Sequence, residues 1–308
     1  MAAKWTAADM PDQTGKIIIV TGANSGIGYE TARALAHKGA HVVMACRSRE
    51  RAEAAAARIR AENPRGELAV LDLDLADLAS VRAFADTFTQ QYDRLDVLVN
   101  NAGIMAPPQR MTTKDGFEIQ FGVNHLGHFA LTGLLIGRLL ATPKSRVVTV
   151  SSGAHRFGTI NFDDLNWERS YSPWKAYAQS KLANLLFTFE LQRRLEAKGA
   201  ETIAVAAHPG YTNTNLQRYT RSFSLLNKLL AQSPEMGALP TLYAATMPDV
   251  RGGDYFGPDG FMEMRGYPKR VQAKPEAYDP ETARRLWEVS EQLTGVAYLD
   301  DVPAAREA

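Results

Sequence analysis

The stretch Ile17-Ile18-Ile19-Val20-Thr21-Gly22-Ala23-Asn24-Ser25-Gly26-Ile27-Gly28 decides how the rest of the chain is read. Its first half is a run of β-branched residues, as in a strand covered on both faces, and its second half places glycines at 22, 26 and 28 on the way into a helix. Glycine permits a tight turn and close approach of the backbone to a bound group, and the first turn of the helix offers free N–H groups and a positive dipole end. That combination suits a pyrophosphate. A structural strand-to-helix turn would use glycine too, but the position at the end of the first strand favours a dinucleotide site contacted by Gly22, Asn24, Ser25, Gly26, Ile27 and Gly28.

Outward from this turn, short apolar runs alternate with longer helical patterns. Strands are expected at 16–21, 40–45, 67–73, 95–99, 146–151 and 202–207, with helices between them at 26–38, 49–62, 78–91, 117–140 and 173–198. Such alternation predicts βαβ units and hence an α/β fold, a doubly wound parallel sheet flanked by helices. Asn63-Pro64-Arg65-Gly66 closes one helix, and Asp77 stands where the next needs an N-cap. Past Pro209 the pattern loosens, with helical runs at 234–246 and 281–293. We expect a polar leader over 1–13, a single domain over 14–295 with substrate-shaping elements from about 210 onward, and a tail over 296–308.

Composition narrows the function classes. With 35 basic and 34 acidic residues, the chain has no electrostatic reason to bind nucleic acid. The single cysteine, Cys46, cannot form an internal disulfide, and no Cys/His spacing of a metal site occurs, so no metal is expected. The first residues lack a secretory apolar segment, and the run at 130–140 is cut by Thr132, Gly133, Gly137 and Arg138. The expectation is a soluble cytoplasmic protein without a membrane anchor.

Further motifs follow in a fixed order. After G-x-x-x-G-x-G come Asn100-Asn101-Ala102-Gly103 at the fourth strand, Asn124 before a long helix, and Ser152 closing the fifth strand. Tyr177-x-x-x-Lys181 and then Pro209-Gly210 complete the series. In this order the chain resembles the short-chain dehydrogenase/reductase family from about Thr14 to Gly210. The resemblance implies a Rossmann-like domain and a catalytic set of Asn124, Ser152, Tyr177 and Lys181. It further implies cofactor contacts from Asp74, Leu75, Asn101, Ala102, Gly103, Tyr177, Lys181, Pro209, Gly210, Thr212 and Thr214. In the family the lysine also bonds the nicotinamide ribose; Ser152 would bond the reacting oxygen and Asn124 would hold a water of the proton relay. A homodimer or homotetramer is suggested on the same ground. The 25 positions from Ser152 to Tyr177, a longer separation than is usual in much of the family, resemble the retinol-dehydrogenase-like branch. So do Ser151-Ser152-Gly153-Ala154-His155, Gln179-Ser180-Lys181-Leu182-Ala183-Asn184 and His208-Pro209-Gly210.

Tyr177 and Lys181 also make chemical sense by themselves. Four residues apart on a helix, a phenol and an ammonium share a face, and the cation is expected to lower the phenol's pKa toward working pH for acid/base work. Tyr171-x-x-x-Lys175 has the same form, but Pro173 belongs at a helix start and Ser172 at its N-cap, which leaves Tyr171 outside the helix.

Cofactor choice rests on the end of the second strand. Cys46 stands where the family commonly places the acid that selects NAD, and Arg47 follows it. A guanidinium bonds a 2′-phosphate, so NADP(H) is expected over NAD(H), although Arg47 and Arg49 could simply begin a solvated helix. The substrate is expected to be a small, mainly apolar carbonyl or alcohol enclosed by 104–108, 153–173 and 211–230, where Met105, Phe157, Tyr211 and Phe223 outnumber charges suited to a carboxylate. The 223–230 stripe reads first as core. His125 and His128 read as packing, and Asp163 and Asp164 as a solvated loop. The alternative function is a catalytically silent NADP(H)-binding sensor or partner platform, which the intact four-residue set disfavours.

Overall fold

The computed structural model describes residues 4–212 and 231–300. The strands are β1 (Ile17–Thr21), β2 (His41–Cys46), β3 (Leu68–Asp72), β4 (Val97–Asn100), β5 (Arg146–Val150), β6 (Ile203–Ala207), β7 (Tyr255–Pro258) and β8 (Pro268–Arg270). They form one sheet in the order β3-β2-β1-β4-β5-β6-β7-β8, parallel except for the β7–β8 pair. The helices are α1 (Gly26–His37), α2 (Arg49–Arg60), α3 (Leu78–Gln91), α4 (Ile119–Phe121), α5 (Gly127–Ala141), α6 (Pro173–Ala197), α7 (Pro234–Thr246) and α8 (Pro280–Thr294). Because β1 pairs with both β2 and β4, the chain order reverses across β1, and a crevice opens where strands diverge at their carboxyl ends.

Alternation within the strands explains why they read as continuous apolar runs. Ile18, Val20, Val42 and Met44 pack with Leu35, Ala52, Ile59 and Leu242 on one face, whereas Ile19 and Val43 pack with Phe84, Leu135 and Phe187 on the other. Both faces are covered, so neither set of side chains can be polar. Asp77 caps α3 as expected, accepting from the amides of Ala79 and Ser80. Ser172 occupies the N-cap position of α6, but its side chain accepts no capping bond there.

The structure departs from the expected elements in the following places. The helix expected at 117–140 opens as α4, widens to a π turn over Gly122–Leu126 and only then becomes α5. Strands β7 and β8 went unread because Gly257, Pro258 and Pro268 look like turn residues, yet proline is tolerated at a sheet edge, where Pro258 faces Pro268. The core also passes the boundaries placed at 14 and 295. Met10 and Gln13 are buried and Trp5 packs edge-on to Tyr243 at 5.1 Å, while at the other end Val296 and Tyr298 are buried and the Tyr298 hydroxyl donates to the Phe129 carbonyl. No helix among the described residues is long and apolar enough to cross a membrane.

Candidate active site

The crevice at the end of β1 is built from backbone and small side chains. Gly22 and Gly26 have φ of +67° and +55°, a region in which a side chain would be strained. A Cβ on Gly28 would collide with the Gly22 carbonyl and the Asn101 carboxamide. Thr21 ties the two loops together: its hydroxyl oxygen accepts from the Asn101 and Ala102 amides, both at 2.9 Å, and its carbonyl accepts from Asn101 Nδ2 at 2.8 Å. A groove of about 870 Å³ runs from Gly22, Asn24, Ser25 and Gly26 past Arg47, Asp74 and Leu75 to Ala102 and Gly103. It adjoins a narrower cleft lined by Ile27, Gly28, Asn101, Tyr177, Lys181 and Pro209.

At its outer end the groove is more basic than the sequence reading foresaw. Besides exposed Arg47, it is lined by Arg51 and Arg58 from α2, and the Arg58 guanidinium lies 4.7 Å above the Tyr29 ring. Arg51, Ala54 and Arg58 recur at helical spacing on one face of α2, a periodicity legible in the sequence. Arg49, by contrast, turns away and pairs with Asp72 at 2.8 Å. Burial pushes the Cys46 thiol up to about 11, so it presents no charge to an anion. Three guanidiniums thus line the outer groove, together with the Glu30 and Asp74 carboxylates, and the residue that ends β2 is a thiol rather than a carboxylate.

The inner end gathers the remaining chemistry. Tyr177 and Lys181 lie one turn apart on α6, with the Lys181 ammonium 5.8 Å from the Tyr177 ring centroid. The amine donates to the Val150 carbonyl at 3.0 Å, which fixes α6 against β5. Ser152 lies just past β5, where its hydroxyl oxygen accepts from the Ala154 amide at 3.2 Å and lies close enough to lower the Tyr177 phenol. Asn124 sits within the π turn, where Oδ1 accepts from the Ile104 amide at 2.8 Å and Nδ2 donates to the Ile104 carbonyl at 3.0 Å. Its carboxamide thus holds the segment after Gly103, and a methyl group on Gly103 would stand 3.2 Å from Asn124 Oδ1 and 3.7 Å from Lys181 Nζ.

The electrostatics reverse one expectation. Burial pushes the Tyr177 phenol up to about 12, opposed by the nearby Ser152 side chain, and pulls the Lys181 ammonium down to about 8. Desolvation, which disfavours both charged forms, outweighs the pairing argument because the ammonium is directed at Val150 rather than at the phenol oxygen. The resting phenol therefore carries its proton.

Gly210 packs against the 263–264 backbone, and Thr212 donates to the Pro209 carbonyl at 2.8 Å while its side chain meets Gly237. Thr214, Phe223 and the 223–230 stripe lie outside the described residues. Tyr171 stands before α6 and donates to the Pro107 carbonyl at 3.0 Å, away from the cleft lined by Tyr177. Asp164 is more than solvated, since it accepts from the amides of Glu168 and Arg169. Among the described residues no cluster of three or more His, Cys, Asp or Glu side chains could hold a metal ion, and His125 and His128 bond different partners.

Comparisons with known proteins identify relatives over most of the chain. The short chain dehydrogenase family profile matches residues 16–224. Human retinol dehydrogenase 14 is 46% identical over 304 residues, covering 92% of this chain and 87% of its own length, and human retinol dehydrogenase 13 is also 46% identical, covering 95% and 87%. A crystal structure of an uncharacterized protein from Mycobacterium paratuberculosis superposes with a TM-score of 0.81 at 49% identity, over 96% of this chain and 98% of that one. A short chain dehydrogenase from Burkholderia cenocepacia in complex with NADP is 25% identical with a TM-score of 0.62, over 79% and 95%.

Proposed function

The chain belongs to the short-chain dehydrogenase family, in its retinol-dehydrogenase-like branch, and as an alcohol/carbonyl oxidoreductase of that family we propose that it uses NADP(H) on a mainly apolar substrate, with Tyr177 as general acid/base. The observation that carries this reading is the arrangement along one crevice: three arginines at its outer end, a glycine turn in the middle, and the Tyr177–Lys181 pair at its inner end. When bound, the cofactor supplies or accepts the hydride. Gly22, Asn24, Ser25 and Gly26 would hold its pyrophosphate, Arg47, Arg51 and Arg58 its 2′-phosphate, and Lys181 its nicotinamide ribose.

The protein's own residues handle the proton. Held neutral by burial, the Tyr177 phenol is the form that donates a proton to a carbonyl oxygen during reduction. Ser152, just past β5, would hold the same oxygen. Asn124 keeps the 103–104 segment in register, and Lys181 puts a positive charge beside the ring. Two exposed aromatics stand on the segments that flank the site: Trp174 lies edge-on to Tyr177 at 6.2 Å, and Phe157 is 84% exposed on the segment after Ser152. An exposed aromatic of that size suits an apolar ligand.

An NADPH-consumption screen over aliphatic, aromatic, steroid and isoprenoid carbonyls tests the proposal. Retinaldehyde belongs in that panel because the relatives are named retinol dehydrogenases. We expect the highest kcat/KM with an apolar carbonyl; a best substrate among short keto acids would contradict the assigned pocket.

A further inference from the structure

A buried histidine outside the expected catalytic set connects the cofactor crevice to Asn124. His128, only 1% exposed at the start of α5, places Nε2 2.9 Å from the Thr21 hydroxyl oxygen and Nδ1 3.0 Å from the Asn124 main-chain carbonyl. The protonation pattern follows from counting donors. The Thr21 oxygen already accepts from the Asn101 and Ala102 amides at 2.9 Å each, which occupies both of its lone pairs. Its own proton must then be donated, and His128 Nε2 at 2.9 Å is closer than the Val99 carbonyl at 3.3 Å. Nε2 accepts, so the imidazole proton resides on Nδ1, where the Asn124 carbonyl can only accept. Asn124 in turn clamps Ile104 at both its amide and its carbonyl. The bonds therefore close a ring around residues 101–104, the floor of the crevice beside Lys181.

We propose that His128 is a positioning residue, held as the neutral Nδ1–H tautomer, that locks the Asn124 carbonyl to Thr21 and so fixes the 101–104 floor against the Tyr177–Lys181 pair. Its effect on turnover rests on reading that pair as the proton-transfer site. Its charge state agrees with the geometry: burial pulls the imidazole down to about 4, with a smaller push from Lys181 on α6, and its neighbour His125 is likewise neutral through burial.

The test begins with the tautomer, which does not depend on catalysis. In the full chain, labelled with ¹⁵N-histidine and holding six histidines, long-range ¹H–¹⁵N correlation resolves the imidazole patterns, and the pattern lost in His128→Gln belongs to His128. We expect a protonated Nδ1 and an unprotonated Nε2 throughout the neutral pH range; the Nε2–H tautomer or an imidazolium would overturn the proposal. Kinetics follow. His128→Leu removes both bonds, whereas His128→Asn keeps an N–H donor near the Nδ1 position. Small displacements of reacting groups cost about 10- to 100-fold in rate, so His128→Leu should lower kcat by about that factor with carbonyl KM within about twofold, and His128→Asn should recover most of it. A folded His128→Leu protein with wild-type kcat, or equal losses in both variants, would show that the ring only fills space. If the tautomer is as expected but the wild type reduces no carbonyl, the assigned reaction falls while the ring of bonds stands.

Discussion

Lys181 Nζ donates to the Val150 carbonyl at 3.0 Å, and this bond holds the ammonium in the interior, where burial lowers it to about 8. The Tyr177 phenol, at about 12, stays protonated far above that. In carbonyl reduction the first group to change charge as pH rises is therefore Lys181. The pH profile of kcat/KM, which reports the free enzyme, should fall above about 8 as the ammonium loses its proton. A profile flat through the range in which that proton is lost would contradict the assignment of the limb to Lys181.

The arginines at the outer end of the groove predict cofactor choice. Wild-type protein should give a higher kcat/KM with NADPH than with NADH, because a guanidinium forms charge-assisted bonds to a phosphate that NADH lacks. Cys46→Asp combined with Arg47→Ala should shift the ratio toward NADH by at least about tenfold, the scale set by 1.4 kcal/mol of lost contact. Because Arg51 and Arg58 line the same groove, Arg51→Ala should also weaken NADPH without weakening NADH. A wild type that already prefers NADH defeats the reading.

Three histidines lie neutral in the interior: His125 at about 3, His128 at about 4 and His155 at about 4, each lowered chiefly by burial. A histidine depressed in the folded state leaves the unfolded state binding more protons at acid pH. Its contribution is then fully present above the unfolded pKa of about 6.5 and is lost as pH falls toward the folded value. At the acid limit these shifts correspond to about 3 kcal/mol each for His128 and His155 and to about 5 kcal/mol for His125. Urea unfolding at successive pH values should show stability falling steadily below about 6.5, and His125→Phe should flatten that fall. Stability independent of pH across this range would contradict neutral burial of these rings.

Much of the fold was readable because β1 to β6 are covered on both faces and so had to be written in apolar residues such as Ile17, Val42 and Val147. The final antiparallel pair obeys a weaker rule, because Gly257 and Pro258 at the end of β7 and Pro268 in the edge strand β8 are residue types of turns. The glycine turn and the order from Asn100 to Pro209 were legible because chemistry fixes those residue types. What was not legible depends on distance through space. Thr21 meets His128 across 107 positions, and no local pattern announces that contact. The phenol of Tyr177 was misjudged because spacing gives the neighbour but not the burial or the direction of the ammonium. The π turn at Asn124 adds one residue to a helix whose apolar pattern reads the same either way. Arg51 and Arg58 were within reach of the sequence, through their shared face on α2.

The central claim is that Tyr177, and not Tyr171, moves the proton. Both replacements by phenylalanine keep the ring, but Tyr171→Phe removes only a bond to the Pro107 carbonyl and one received from Gln120, whereas Tyr177→Phe removes the hydroxyl of the cleft that Lys181 also lines. The decisive measurement is the kcat for carbonyl reduction of each variant, with NADPH affinity measured separately by fluorescence. A positioned acid contributes about 10²- to 10⁴-fold, so Tyr177→Phe should lose that much with NADPH affinity nearly unchanged, and Tyr171→Phe should lose little. Near-normal turnover in Tyr177→Phe, or a loss confined to Tyr171→Phe, would contradict the account.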